Sequence, residues 1–262
     1  MTTKAHSKFY YALSDTGVLI IRSLKHIVKN PDQLIALTIQ PVMFMVLFGY
    51  VFGGAITTGG PTYINFLVAG IMVQMAAFGA TTTSLSVATD LKRGIIDRFK
   101  SLPMVSSAVM TGHVAADLVR NLLSSVILII VALIMGFRPV ADQFEWFYIV
   151  GILMLFTLAL SWISAIMGLV AKSVEAVQWL GFFIVFPLTF ASAAFVPTAS
   201  MPWLLRLFAE NQPVTHVIEA IRALMLGTPV GNHAWLAVVW CLCIIIVAVP
   251  IASYLFRNKT LE

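Results

Sequence analysis

The chain has 262 residues, of which 60% are hydrophobic and only 10% are charged, and its mean hydropathy is +0.96. These values exclude an ordinary soluble protein and indicate one membrane domain, with no stretch long enough for a soluble catalytic domain beside it. The net charge of +5 is not arranged as a basic stripe interleaved with aromatic residues, which argues against nucleic acid as a partner.

The N-terminal segment, residues 9–30, is predicted to form an interfacial helix along the membrane surface. Its apolar residues recur at helical spacing, and the charged residues lie off that stripe. Asn30 and Pro31 should end this helix, because the residue before a proline is disfavoured in helical geometry. Two roles stay open for it: a membrane anchor, or an elbow that carries partner motion into the first span.

Six long apolar runs follow, near residues 34–54, 63–89, 120–136, 146–170, 178–196 and 234–256. Each is close to the roughly 20 residues that a helix needs to cross a hydrocarbon core of about 30 Å. The sequence therefore predicts an all-α polytopic membrane protein with six transmembrane helices, forming a single domain over residues 1–262. Apart from Arg120 at the mouth of the third run, the runs hold no Asp, Glu, His, Lys or Arg. We therefore expect the driving force for transport to come from a partner, since ion-driven carriers usually hold such groups at membrane depth.

The basic residues predict the orientation. With both termini on one side, all 16 lysines and arginines fall on that side except Arg138, Arg206 and Arg222. By the positive-inside rule, both termini are expected to be cytoplasmic, in the plasma or inner membrane of the cell.

Between the second and third runs, residues 90–104 are predicted to form a short cytoplasmic amphipathic helix. Its apolar face holds Leu91, Ile95, Phe99 and Leu102, and charged residues occupy the rest of its circumference. Asp90 is expected in the first turn, where the helix dipole favours an anion. Such a helix is suited to docking in a groove, although a solvated turn explains the charges as well.

Between the fifth and sixth runs, residues 197–231 are predicted to form an outer re-entrant hairpin of two short apolar helices. The second helix opens with Asn211 and Pro213 and ends at Gly227. Both helices are too short to cross a bilayer and too apolar for water, so we expect them to dip into the outer leaflet or to pack over the spans. Glu219 and Arg222, three residues apart, are expected to pair.

Uncharged polar residues inside the runs are the candidates for lining a transport pathway, in particular Gln74, Thr81 and Thr82. Helix packing explains these residues equally well. No catalytic, cofactor-binding or metal-binding constellation is found: the sequence has no Walker-type loop, and its five histidines lack the paired spacing of a zinc helix. His113 and Asp117, four residues apart, are placed to form a pair near the start of the third span.

The order of these parts resembles the permease subunits of ABC type 2 exporters, particularly the daunorubicin-resistance-like group. The resemblance rests on residues 66–74, on the charged loop from Asp90 to Pro103, and on residues 211–227. It implies that the loop is a coupling helix for an ATPase subunit, formed by Asp90, Leu91, Lys92, Arg93, Gly94, Asp97, Arg98 and Phe99. It also implies that the outer hairpin is a family feature, marked by Asn211, Pro213, Glu219, Arg222 and Gly227.

The resemblance further implies a permease without its own ATPase site, whose partners are two cytoplasmic ABC ATPase subunits carrying ATP and Mg, and a second permease chain, identical or related. The expected substrate is an amphipathic drug or lipid-like molecule, exported from the cytoplasm. A polysaccharide or lipid-linked glycan is the alternative substrate. An ion channel is disfavoured because no charged ring or filter-like segment occurs, and an intramembrane enzyme because catalytic groups are missing.

Overall fold

The computed structural model describes residues 31–56, 62–93, 107–171 and 173–258, and over these residues every regular element is helical. The predicted interfacial helix, residues 9–30, lies outside them. The described residues form eight α-helices, in chain order α1 Pro31–Val46, α2 Tyr63–Lys92, α3 Ser107–Ile134, α4 Gln143–Val170, α5 Val174–Phe190, α6 Trp203–Asn211, α7 Pro213–Leu226 and α8 His233–Asn258. Helix α1 continues as a wide π-helical segment, Leu47–Phe52, and a single 3₁₀ turn, Thr198–Ser200, precedes α6.

Four of these helices are long and apolar enough to cross a membrane: α2, α3 from Met110, α4, and α8 as far as Phe256. The apolar segment Ile39–Phe52 and helix α5 are shorter. The expectation of an all-helical, multi-pass membrane protein is therefore confirmed over the described residues. The count of six spans stays a prediction.

Helix α2 lies at the centre of the bundle and packs against α1, α3, α4, α5 and α7. Glycines allow the closest approaches. A Cβ added at Gly168 of α4 would lie 2.5 Å from the backbone oxygen of Ser84, and one at Gly70 would clash with that of Ala194 in the turn after α5. Because these neighbours are backbone atoms, neither α4 nor that turn can approach α2 so closely with a larger residue at these positions.

The helix ends follow local chemistry. Asp142 and Glu145 form a reciprocal capping box at the start of α4. Gly227 ends α7 with φ 64°, a left-handed conformation that favours glycine. Helix α5 stops at Phe190, earlier than the apolar run from which it was predicted, and residues 191–195 form turns.

Two predicted boundaries are wrong. The third helix begins at Ser107 and not near residue 120, so its first turns include His113 and Asp117. No separate helix begins at Asp90, because α2 continues unbroken to Lys92 and places Asp90 in its last turns. The physical reason is that neither glycine nor proline occurs between Gly79 and Gly94, so nothing interrupts the helix before the segment expected to form the next one.

Candidate functional site

A polar cluster centred on Asp117 lies inside the bundle, where α2, α3 and α4 meet. Oδ1 of Asp117 accepts hydrogen bonds from Thr82 Oγ1 at 2.8 Å and from Arg120 Nη1 at 2.8 Å. Oδ2 accepts from Thr83 Oγ1 and from Ser161 Oγ, the latter at 3.2 Å. Asp117 is only 2% exposed, so four donors replace the water that its carboxylate would otherwise bind. We call Thr82, Thr83, Asp117, Arg120 and Ser161 the inner cluster.

The inner cluster corrects the expectation that charged groups are missing from membrane depth. Asp117 and Arg120 both lie within Met110–Ile134, a helix apolar enough to span. The apolar run begins at Arg120 in the sequence, which places Asp117 only near the start of the third span. The signal that could have revealed the cluster is the spacing of Asp117 and Arg120, which puts both on one helix face, together with the threonine-rich turn of α2.

The predicted pair between His113 and Asp117 is not formed. His113 Nε2 lies 2.9 Å from Asp90 Oδ2 instead, and Asp117 pairs with Arg120. The contact between His113 and Asp90 ties the end of α2 to the first part of α3, next to the loop between them.

A cleft of about 320 Å³ opens beside the inner cluster, between α1, α2 and α3. Its wall combines apolar Met75, Phe78 and Leu85, and the backbone at Gly79, with a polar side formed by Gln40, Thr82, Ser86, Arg120, Asn121 and Ser124. Among these lining residues Arg120 alone carries a charge. The volume is at the lower end of the range found for small-molecule sites.

The three residues predicted to line a pathway lie in different environments. Thr82 lines the cleft. Thr81 donates to the Phe78 carbonyl and lies against Gly181 of α5. Gln74 is buried in the core, and its Nε2 has no hydrogen-bond partner among the described residues.

A second polar cluster lies where α7 packs on α2. Arg222 donates from Nε to the Phe66 carbonyl at 3.0 Å, from Nη2 to the Ala193 carbonyl at 2.6 Å, and from Nη1 to Glu219 Oε1 at 2.7 Å. Its guanidinium carbon lies 3.6 Å from the centroid of the Phe66 ring, a cation–π contact. We call Phe66, Ala193, Glu219 and Arg222 the outer cluster, and the predicted pairing of Glu219 with Arg222 is confirmed.

Burial lowers the pKa of Arg222 to about 10, and the attraction of Glu219 opposes that shift. Arg222 therefore still carries its charge at neutral pH. A buried cation is tolerated here because three acceptors and an aromatic face replace its hydration. The arrangement joins α7 to the start of α2 and to the turn after α5.

The other residues assigned to the outer hairpin lie at helix ends. Asn211 ends α6 and donates from Nδ2 to the Leu207 carbonyl. Pro213 is the first residue of α7, and the N–H of Gly227 closes that helix on the Ala223 carbonyl. The two predicted helices are thus present, with α7 largely buried and α6 largely exposed. Their insertion into a leaflet stays a prediction.

The residues assigned to coupling are only partly described. Asp90, Leu91 and Lys92 lie in the last turns of α2, and Arg93 caps that helix. Gly94, Asp97, Arg98 and Phe99 lie outside the described residues. Within the described part of the chain, no group of three or more His, Cys, Asp or Glu residues is placed to hold a metal ion.

Comparison with known proteins identifies the family. The family model described as "ABC-2 type transporter" matches residues 14–226, which include the described helices from α1 through the whole of α7. The chain belongs to the ABC-2 type transporter family.

Similar proteins within this family include several permeases whose names refer to drug resistance. The daunorubicin resistance ABC transporter permease protein DrrB1 of Streptomyces coeruleorubidus is 32% identical over 253 residues, covering 95% of this chain and 88% of that protein. The probable doxorubicin resistance ABC transporter permease protein DrrC of Mycobacterium tuberculosis is 28% identical over 260 residues, covering 91% and 87%. Nodulation protein J of Rhizobium leguminosarum bv. viciae is 24% identical, covering 85% and 86%. The resemblance inferred from the sequence is thereby confirmed.

Proposed function

We propose that this chain is the transmembrane permease subunit of an ABC exporter that moves an amphipathic drug or lipid-like molecule out of the cytoplasm. The observation that carries the proposal is the 32% identity, over nearly the whole chain, to a permease named for daunorubicin resistance. The cleft beside the inner cluster supports an amphipathic substrate, because its lining combines apolar with polar side chains.

In this proposal, ATP and Mg are bound by two separate cytoplasmic ATPase subunits, and a second permease chain, identical or related, completes the pathway. The chain crosses the membrane six times, with both termini cytoplasmic. The short apolar segment Ile39–Phe52 and helix α5 are the first and fifth spans. Helices α6 and α7 form the outer re-entrant hairpin.

Residues 90–104 are proposed to receive the motion of the ATPase subunits. The contact between Asp90 and His113 supports this assignment, because it joins the two helices that enter and leave the segment. A displacement there would reach both α2 and α3, and the inner cluster lies farther along the same two helices. ATP would shift the population of inward-facing and outward-facing states through its differential affinity for them.

The direct test is transport by inside-out membrane vesicles that contain the full chain and the ATPase subunit that co-purifies with it. We expect uptake of daunorubicin that requires hydrolysable ATP. Uptake driven by a proton or sodium gradient without nucleotide would contradict the proposal. Uptake of a lipid-linked glycan in place of the drug would favour the alternative substrate class.

The coupling role is tested by reversing the charge of Arg98. Arg98→Glu should leave membrane insertion intact and abolish the stimulation of ATP hydrolysis by substrate, because the charge would repel the surface that it is meant to contact. Lys172→Glu, in the connection between α4 and α5, is a matched charge reversal. Normal substrate-stimulated hydrolysis in Arg98→Glu would remove Arg98 from the coupling segment.

A further inference from the structure

The polar side of the cleft between α1, α2 and α3 offers hydrogen-bond donors that the described residues do not use. Asn121 lines this cleft and is only 3% exposed, yet its Nδ2 has no hydrogen-bond partner among the described residues. An unsatisfied buried amide group destabilises the folded chain. That cost is offset if a molecule in the cleft accepts from it.

Arg120 provides a second donor surface in the same wall. Its hydrogen bonds within the described residues, to Asp117 and Thr82, run through Nη1. A guanidinium has five N–H donors, so donors beyond those on Nη1 remain, and Arg120 is among the residues that line the cleft. The side chain of Arg120 is 22% exposed, whereas that of Asp117 is 3% exposed.

The sign of the charge that the cleft presents follows from this burial. Asp117 already accepts four hydrogen bonds, from Thr82, Thr83, Arg120 and Ser161. Its carboxylate is thus saturated and turned away, and none of the lining residues is acidic. A molecule in the cleft meets the cation of the pair and not the anion.

The remaining lining residues of the cleft are apolar. Met75, Phe78 and Leu85 of α2 supply hydrocarbon and aromatic surface beside the polar side chains. Gly79 leaves room for the side chain of Asn121, since a Cβ at that position would clash with Asn121 Oδ1. The donors therefore lie beside a surface that suits hydrocarbon.

We propose that this cleft binds an amphipathic molecule through an anionic, oxygen-rich head group, with Arg120 and Asn121 donating to its oxygens and its apolar part lying on Met75, Phe78 and Leu85. The proposal rests on the proposed function in placing this cleft beside a transport pathway; its ligand is an anionic amphiphile or lipid there, distinct from daunorubicin, whose amino group is a cation at neutral pH. A phosphate or carboxylate group fits, because charge-assisted hydrogen bonds from Arg and Asn match its oxygens. A quaternary ammonium group does not.

Binding is measured on the purified full chain in phosphatidylcholine nanodiscs, without ATP or partner subunits. The probes are octyl phosphate, octyltrimethylammonium and octyl glucoside, which share one alkyl chain and differ in the head group. We expect saturable binding of octyl phosphate, after subtraction of empty nanodiscs, at least about tenfold tighter than that of the other two. Equal affinity for all three head groups would overturn the proposal.

Asn121→Leu separates a ligand-binding role from a structural one. If Asn121 Nδ2 serves a ligand, Leu should lower octyl phosphate affinity roughly tenfold while leaving the melting temperature unchanged or higher, because an unsatisfied polar group has been removed. A lower melting temperature, or unchanged affinity, would contradict the assignment. Cys243→Ala, an exposed position on α8 away from the cleft, is the control and should change neither quantity.

Arg120→Lys tests the second donor. Lysine keeps the charge near Asp117 but lacks the planar fork, so octyl phosphate affinity should fall while the chain still folds. Full affinity in this variant and in Asn121→Leu would place the ligand elsewhere.

Nanodiscs that also contain phosphatidic acid identify the source of the head group. Competition with octyl phosphate indicates a membrane lipid, and its absence indicates a free amphiphile; both outcomes support the shared chemistry. Because no nucleotide is present, this experiment can fail while ATP-driven export succeeds. It can equally succeed if export fails.

Discussion

The inner and outer clusters each contain an arginine paired with an acid three residues earlier, Asp117 with Arg120 in α3 and Glu219 with Arg222 in α7. Their burial is reversed. In the inner pair the acid side chain is 3% exposed and the arginine 22%, whereas in the outer pair the arginine is 6% exposed and the acid 32%. Ion pairs with the same sequence spacing therefore have different surroundings and different roles in the two clusters.

The outer cluster is a structural joint. Arg222 donates hydrogen bonds to two backbone carbonyls of other elements and to Glu219. Because backbone carbonyls move only with their helices, this arginine fixes the position of α7. The inner cluster instead gathers hydroxyls around an acid and leaves an arginine facing a cleft. A buried acid thus orients a cation toward the cleft, and a buried arginine holds a fold together.

The comparison predicts its largest effect at Arg222. Arg222→Ala leaves the carbonyls of Phe66 and Ala193 without this donor and Glu219 without its partner, so we expect a loss of about 3–5 kcal/mol in stability. Thermal unfolding in detergent and the abundance of membrane-inserted chain should both fall sharply. Arg206→Ala, which removes an exposed pair with Glu210 on α6, should have little effect on either. Equal losses in the two variants would contradict the role of Arg222 as a joint.

The next effect is expected at Asp117. Asp117→Asn keeps the shape of the side chain but removes the charge opposite Arg120, and it presents donors to hydroxyls that now donate to the acid. Because those hydroxyls can rotate and Arg120 can turn toward the cleft, we expect a smaller loss, roughly 1–3 kcal/mol. Transport should fall more than abundance does. A loss of abundance as large as that of Arg222→Ala would make the two clusters alike.

A smaller loss of stability is expected at Glu219. Glu219→Ala removes a partly exposed partner, while Arg222 keeps both of its carbonyl contacts, so the stability loss should be about 1 kcal/mol. Export should be impaired more than abundance, measured as transport per inserted chain. Equal loss of both would reduce Glu219 to a packing residue.

The smallest effect is expected on the pH dependence of stability, through His216 of α7. His216 of α7 lies 3.2 Å, Nδ1 to Nδ1, from His233, and burial followed by the charge of His233 lowers the pKa of His216. The folded state therefore favours neutral His216, and the unfolded state takes up the proton first as pH falls. Stability should be lost as pH drops below the ordinary histidine value of about 6.5, down to the lowered pKa of the folded chain.

The measurement for this prediction is the melting temperature of the purified chain between neutral and mildly acidic pH. We expect a decrease in the unmodified chain and a smaller one in His216→Asn. An identical pH dependence in both would show that other groups are responsible.

The sequence determined the class of this protein because hydrocarbon imposes a simple rule. A helix that crosses a bilayer must be apolar over about 20 residues, so length and composition alone revealed a helical membrane protein. Local chemistry also sufficed for the two short helices before α8, since Pro213 and Gly227 mark the ends of α7. Helical spacing likewise predicted the pair between Glu219 and Arg222.

Tertiary structure alone decided what the charged residues of α3 do. From the sequence, Asp117 and Arg120 were assigned to a polar entrance because nothing local shows that hydroxyls from α2 and α4 surround the carboxylate. The partner of His113 depended likewise on how α2 and α3 pack, which brings Asp90 to it in place of Asp117. A charge can enter a membrane span only where other helices supply its hydrogen bonds. That supply is a property of the assembled bundle and not of any one helix.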